Sequence, residues 1–462
     1  MHYEKFADGT VKCIEDEIPF ELPQWWEWTF LSNIVCVLNG DRGQNYPAKN
    51  KLQNEGIPFV SASNIEDGVV SADGLLCLSD AQYNALGAGK LVSGDIVYCI
   101  RGSLGKCGLF TMEKGAIASS LVIVRSILDN THVRDYIFLY LNSAFADEEI
   151  KKYDNGSAQP NLAAKDFTHF LVPIPPQKEM QRINEQAQKA LGYVKSIQNS
   201  KSELCDAIAM TKSKILDLAI RGKLVPQDSN DEPASVLLER IRAEKEELIK
   251  LGKIKRDKKE SVIFKGEDNS YYLKIGNLTE TLDDWRIDDI PDSWGVCCLG
   301  EVCDYGNCTN VDTKDIPETA WILDLEDIEK DTGKVLQKLT LKERNSASTK
   351  HSFHKGQVLY SKLRPYLNKV VLADDEGYCT SEILPLDFND MVYPKYARYY
   401  LMSPTFLKYA NYCSYGVKMP RLGTNDGKKA ILTVPPLQEQ HRIVNAIETI
   451  FAKLDEIANA LS

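Results

Sequence analysis

No apolar run in this chain approaches the length that spans a bilayer, and the first 17 residues are acidic without an apolar stretch. A cytoplasmic protein without transmembrane segment or signal peptide is therefore expected. None of the 12 cysteines stands in a Cys-x-x-Cys pair, and the six histidines do not complete a zinc site. No metal is expected, and the thiols should be reduced. Catalytic signatures are missing too. Gly87-Ala88-Gly89-Lys90 is too short for a phosphate loop and has no Ser or Thr after the Lys. No Asn/Asp-Pro-Pro-aromatic tetrapeptide, Gly-x-Ser-x-Gly or His-Glu-x-x-His occurs. Gly102-Ser103-Leu104-Gly105 has neither elbow nor triad order around its serine. A chain without catalysis of its own follows, one that works by binding.

Positive charge is also short. The formal net charge is −11, from 55 Lys and Arg against 66 Asp and Glu. By region, residues 1–175 hold 14 basic and 22 acidic residues, and residues 261–435 hold 21 and 26. Only residues 176–260 are basic, with 18 against 14; residues 436–462 hold 2 and 4. Any contact with nucleic acid must use local patches or a basic partner.

What is present is duplicated. From Pro175 to Arg221, Met180, Ile183, Ala187, Ala190, Val194 and Ile197 alternate steps of three and four, and Leu204, Ile208, Ile215 and Leu218 resume the pattern. That is a coiled-coil seam on a helix of about 65–70 Å. It returns 260 positions later as Ile443, Ile447, Ile450, Leu454, Ile457 and Leu461, on a helix about half as long. The two seams are expected to pair antiparallel. Ser202–Arg221, unmatched in the shorter copy, is expected to be the place where a partner subunit or a second chain packs. Ile183, Val194, Leu204, Ile208, Ile443, Ile447, Ile450 and Leu454 are the candidate coiled-coil and partner-interface residues.

The globular stretches repeat as well. Leu22-Pro23-Gln24-Trp25-Trp26 returns as Ile290-Pro291-Asp292-Ser293-Trp294, and Tyr136–Ser143 as Tyr396–Ser403. Gly156, Pro160 and Leu162 return as Gly416, Pro420 and Leu422. The reading is α+β: two tandem α/β domains, residues 1–175 and 261–435. Residues 176–260 form a central helical region and linker, and residues 436–462 a distal helical region. Short β-branched runs such as Asp95–Arg101 and Val358–Ser361 predict strands. One amphipathic helix per copy is expected, near Tyr136–Ile150 and Tyr396–Tyr412. Gly222-Lys223-Leu224-Val225-Pro226 reads as a helix stop, followed by a charged helix over Ala234–Leu251 and a basic run, Lys253–Lys259.

Three patches suit binding. Residues 342–369 hold seven Lys or Arg against one acid, with His351, His354, Tyr360 and Tyr366 interleaved. Lysines and arginines neutralise phosphates and bond guanine edges. Lys350, Lys362, Arg364, Tyr366 and Lys369 are the candidates there. The matching stretch Ser93–Lys106 offers Arg101, Ser103 and Lys106. The loops Tyr415–Arg421 and Gly156–Asn161 share a frame but differ in polar residues, and add Lys418, Arg421, Gln159 and Asn161.

These motifs together resemble the specificity (S) subunits of type I restriction-modification systems. The resemblance covers essentially the whole chain. It is carried by the duplicated PP-x-x-E-x-x-R-I helix starts at Pro175–Ile183 and Pro435–Ile443, and by Ala219–Pro226. Gly94-Asp95-Ile96, Arg101–Lys106, Gly156–Leu162 and Ser361–Lys369 add to it. It implies two target recognition domains, each reading one half of a bipartite double-stranded DNA site, with the helices as an antiparallel spacer. It further implies two methyltransferase (M) subunits carrying S-adenosylmethionine and restriction (R) subunits using ATP and Mg, with no cofactor in this chain and no membrane. The distal helix departs from the family in lacking the second half that many relatives have. The other readings are a coiled-coil scaffold without DNA specificity and the specificity part of a type IIB-like restriction enzyme.

Overall fold

The computed structural model describes residues 2–6, 8–153, 161–252, 261–266, 268, 270–275, 278–282, 290–344 and 346–461. The basic run Lys253–Lys259 lies outside them. Residues 1–198 form one unit and residues 199–462 a second. Among the described residues no helix is long and apolar enough to cross a membrane.

In the first unit, the strand Ile96–Cys99 lies between Leu121–Ser126 and Cys107–Leu109, antiparallel to both. All four of its residues are buried. Both faces of this strand are covered, which is why its sequence is continuously apolar and does not alternate with polar residues. Ile96, Tyr98, Val122 and Val124 pack with Tyr136, Ile137 and Tyr140 of a helix. Val97, Cys99, Leu121 and Ile123 face the other way, onto Val60, Leu91 and Ile117 of a second sheet. That second sheet contains a parallel pair, Ile57–Val60 with Lys114–Ile117.

The second unit repeats this frame. Val358–Ser361 lies between Val370–Leu372 and Ile383–Leu386. Val358, Tyr360, Leu384 and Leu386 join one core, and Leu359, Val371 and Ile383 the other. The parallel pair returns as Trp321–Leu323 with Gly377–Thr380. Even single bonds repeat. Tyr140 Oη donates to the Leu171 carbonyl at 2.9 Å, and Tyr400 Oη to that of Ile431 at 2.8 Å. The second unit adds a three-stranded meander, Ser261–Lys265, Tyr271–Ile275 and Leu278–Thr281, which the sequence reading missed.

Where one helix was expected in each copy, there are two: Thr131–Leu141 and Ala144–Lys152, then Pro394–Leu401 and Pro404–Tyr412. The break has a local cause. Ser143 and Ser403 each accept a hydrogen bond at Oγ from the backbone N–H three residues on, at 3.3 Å, restarting the helix as an N-cap.

The central helix runs Gln177–Ile220 and the distal helix Leu437–Ala460. The predicted stop is a Schellman motif: Gly222 N–H bonds the Ala219 carbonyl and Lys223 N–H that of Leu218. Gly222 sits at φ +66°, and a Cβ there would meet Pro291 Cγ at 2.4 Å. In the second unit the two helices run antiparallel: Thr433 Oγ1, just before the distal helix, bonds the Ile220 carbonyl, while Lys212 pairs with Asp455. The repeated helix start has a packing role as well. Glu439 accepts Trp294 Nε1–H at 3.0 Å, and burial pushes its carboxyl pKa up.

Antiparallel packing corrects one expectation. The end of the central helix is not free: Ile215, Leu216, Ala219 and Ile220 are buried in the second core with Ile443, Val444 and Ile447. The gapless sequence alignment matches the two helices start to start, whereas packing sets the start of the distal helix against the end of the central one. Of the candidate coiled-coil and interface residues, Ile443, Ile447 and Ile208 are buried, the first two within the second unit's own core. Ile450 and Leu454 are half-buried against that core. Ile183 packs at the edge of the first unit's core. Val194 and Leu204 stay exposed, at 51% and 40%.

Candidate nucleic-acid interface

Each unit brings two sequence-distant patches together at the end of its buried central strand. In the first, Leu162 N–H bonds the Ile100 carbonyl at 2.9 Å, and Arg101 and Asn161 pair as an antiparallel bridge. Arg101 Nε donates to Asn161 Oδ1 at 3.0 Å. In the second, Leu422 N–H bonds the Lys362 carbonyl at 3.0 Å, Arg364 N–H bonds that of Pro420 at 2.7 Å, and Leu363 bridges Arg421. The frame is the same, but where the first unit carries Arg101 and Asn161 the second carries Leu363 and Arg421. Arg101, Ser103, Lys106 and Asn161 are exposed. Gln159 lies outside the described residues.

In the second unit the loop geometry depends on two left-handed residues, Arg364 at φ +49° and Asn368 at φ +50°, flanking the 3-10 turn Pro365–Leu367. Arg364 is half-buried and Tyr366 exposed. Beside them a short hairpin, Ser414–Tyr415 with Arg421–Leu422, carries Lys418 at its exposed tip.

Burial corrects several candidates. Lys350 is only 2% exposed, with Nζ 3.1 Å from Ser348 Oγ and 3.7 Å from Asp324. Arg344, counted in the same basic run, is likewise turned inward onto Asp324, Glu326 and the fully buried Asp327. A buried cation needs its counter-charge at hand, and here it arrives from a turn some twenty residues upstream. A local count of charge does not register it. Arg421 spreads its guanidinium on Glu382, with Nη2 at 2.9 Å and Nε at 3.1 Å. Glu382 thus competes with any outside acceptor for this arginine.

Lys106 and Lys369 share a local role. Lys106 Nζ donates to the Ala62 carbonyl at 2.9 Å and Lys369 Nζ to that of Leu325 at 2.7 Å. Desolvation lowers the pKa of Lys369. Lys369→Met should therefore cost about 1 kcal/mol of stability, measured by urea denaturation. The sequence reading also missed the structural use of Gly94-Asp95-Ile96. Asp95, 1% exposed, accepts Val92 N–H at 2.8 Å and two bonds from Arg125 at 2.7 Å. Its repeat uses Gln357, which accepts His354 N–H at 2.9 Å. An acceptor three residues after the free N–H is the signal that finds both.

A duplicated frame holding unlike side chains matches one known architecture. The family model for the type I restriction modification DNA specificity domain covers residues 23–204 and again 291–462. The chain belongs to this family. Among specificity subunits, that of the Escherichia coli type I restriction enzyme EcoDI is 26% identical over 322 residues, covering 69% of this chain. The chain spans 64% of that protein's length. The EcoEI specificity subunit of E. coli is 23% identical over 518 residues, 98% of this chain and 82% of its own length. A solved structure from work on complex assembly and conformational transition of the type I restriction-modification system superposes with a TM-score of 0.58. At 17% identity over 96% of this chain and 94% of that one, it shows that the fold is shared.

Proposed function

We propose that this chain is the DNA-reading specificity subunit of a type I restriction-modification complex and has no catalytic activity of its own. The observation that carries this reading is the duplicated loop frame. The same backbone bonds hold Arg101 and Asn161 in one unit and Leu363 and Arg421 in the other. Two copies with unlike side chains suit the two halves of a bipartite double-stranded site. The 44-residue central helix suits a spacer between them. Methyltransferase subunits would bring S-adenosylmethionine, and restriction subunits ATP and Mg. Both would act in the cytoplasm with this chain as their address.

Methylome sequencing of a host carrying this chain with its M subunit tests the reading. A bipartite methylated motif that vanishes when this chain is deleted is expected; a motif that persists without it overturns the proposal. Phosphate contacts have a separate signature. Lys362 and Lys418 pair with no carboxylate among the described residues. In the assembled complex, Lys362→Ala with Lys418→Ala should reduce the slope of log affinity against log salt by about 2, measured by fluorescence anisotropy across a salt series.

A further inference from the structure

The hairpin tip of the second unit combines features that a phosphate contact does not need. Val417 is fully exposed, at 102%, with Met419 at 50% and Tyr415 at 62%. Exposed apolar side chains at the end of a short ribbon cost solubility and contribute nothing to the core. Yet the root beneath them is tied from four directions. Ser414 Oγ bonds the Ala410 carbonyl at 2.6 Å, Arg421 forks onto Glu382, Leu422 N–H bonds Lys362, and Arg364 N–H bonds Pro420. Gly416, at φ +102°, lets the chain turn where a Cβ would stand 3.1 Å from the Met419 carbonyl. The apolar tip is thus presented, not loose.

The charges around it indicate what covers it. Lys418 lies in the tip itself, and Lys362 and Arg364 lie on the loop bonded to its root. None of the three pairs with a carboxylate among the described residues, and the nearby Glu382 is neutralised by Arg421. An apolar point ringed by cations fits a surface that is anionic at its rims and carries methyl groups on its floor. The DNA major groove is such a surface: it admits a two-stranded ribbon between its phosphates and displays the thymine 5-methyl group.

Building on the DNA-reading function proposed above, we infer that Val417 and Met419 are specificity-determining residues that recognise thymine methyl groups in the half-site read by the second unit. Lys418 and the Lys362–Arg364 loop hold the ribbon against the flanking phosphates.

The test is a protein–DNA cycle on the full chain assembled with its M subunit. Each thymine of the cognate site is replaced in turn by uracil, which removes only the methyl group, and binding is compared for the wild type and V417S/M419S. At one or more thymines of a single half-site, uracil should weaken the wild-type complex about four-fold for each recognised methyl group removed. The variant should bind cognate DNA more weakly and not distinguish uracil from thymine there. Its unfolding midpoint should be unchanged, because both side chains are solvent-exposed. Equal uracil sensitivity in wild type and variant, no uracil sensitivity in the wild type, or cognate binding unchanged in V417S/M419S overturns the inference. A wild-type complex that binds random and cognate duplex equally overturns the DNA-reading function itself.

Discussion

Ile447→Ala should destabilise the second unit by about 2–5 kcal/mol, whereas Ile197→Ala should change stability by less than about 0.5 kcal/mol. Both isoleucines occupy seam positions in the sequence, and periodicity alone ranks them equal. Ile447 is 0% exposed in the core that joins the distal helix to the end of the central helix. Deleting its side chain removes transfer energy and leaves a cavity in packed surroundings. Ile197 is 67% exposed, so its truncation removes little buried surface. Urea denaturation of the full chain, followed by tryptophan fluorescence, measures the contrast. Trp294, buried at 4% exposure, reports on the second unit. Equal destabilisation in the two variants would sink the assignment of the distal helix to the second core.

Arg344→Ala should cost the second unit about 3–5 kcal/mol while leaving the salt dependence of DNA binding unchanged in the protein that remains folded. The Arg344 side chain is 6% exposed and faces Asp324, Glu326 and Asp327. Asp327 is 0% exposed, so removing the arginine leaves a buried carboxylate short of its counter-ion. Two neutral donors remain to it, Gln337 Nε2 at 2.9 Å and Asp324 N–H at 2.8 Å. These favour the lower end of the range. Adding Asp327→Asn should recover part of the stability, because the uncompensated charge is then gone. Thermal unfolding of the single and double variants checks this. A salt slope that falls with Arg344→Ala at undiminished stability would return this residue to the proposed DNA-contacting surface.

Much of the fold was legible because it was written twice. The helix starts at Pro175 and Pro435, the buried strands at Ile96 and Val358, and the stop at Gly222 each rest on local chemistry. Apolar spacing, proline just ahead of a first turn and glycine at a left-handed position need no knowledge of distant residues. The break at Ser143 and Ser403 was equally local, but a serine inside an apolar run was absorbed into one longer helix. The candidate interface was legible as a region and blurred residue by residue. The 93–106 patch does meet Asn161, and 361–369 meets 415–421. Among the candidate cations, Lys350 is spoken for by Asp324, Arg421 by Glu382, and Lys369 by the Leu325 carbonyl.

By itself, then, the sequence determined that this protein is a duplicated α+β frame joined to two helices. Periodicity and repetition are properties of the chain read in order, and folding preserves them. The tertiary structure alone decided which cations remain available to a ligand and which seam positions remain open. Both depend on what is brought in from elsewhere: acids some twenty to forty residues away, and a distal helix that packs in the reverse direction to the alignment. An ion pair or a buried contact belongs to two places in the sequence, and only folding makes them one place.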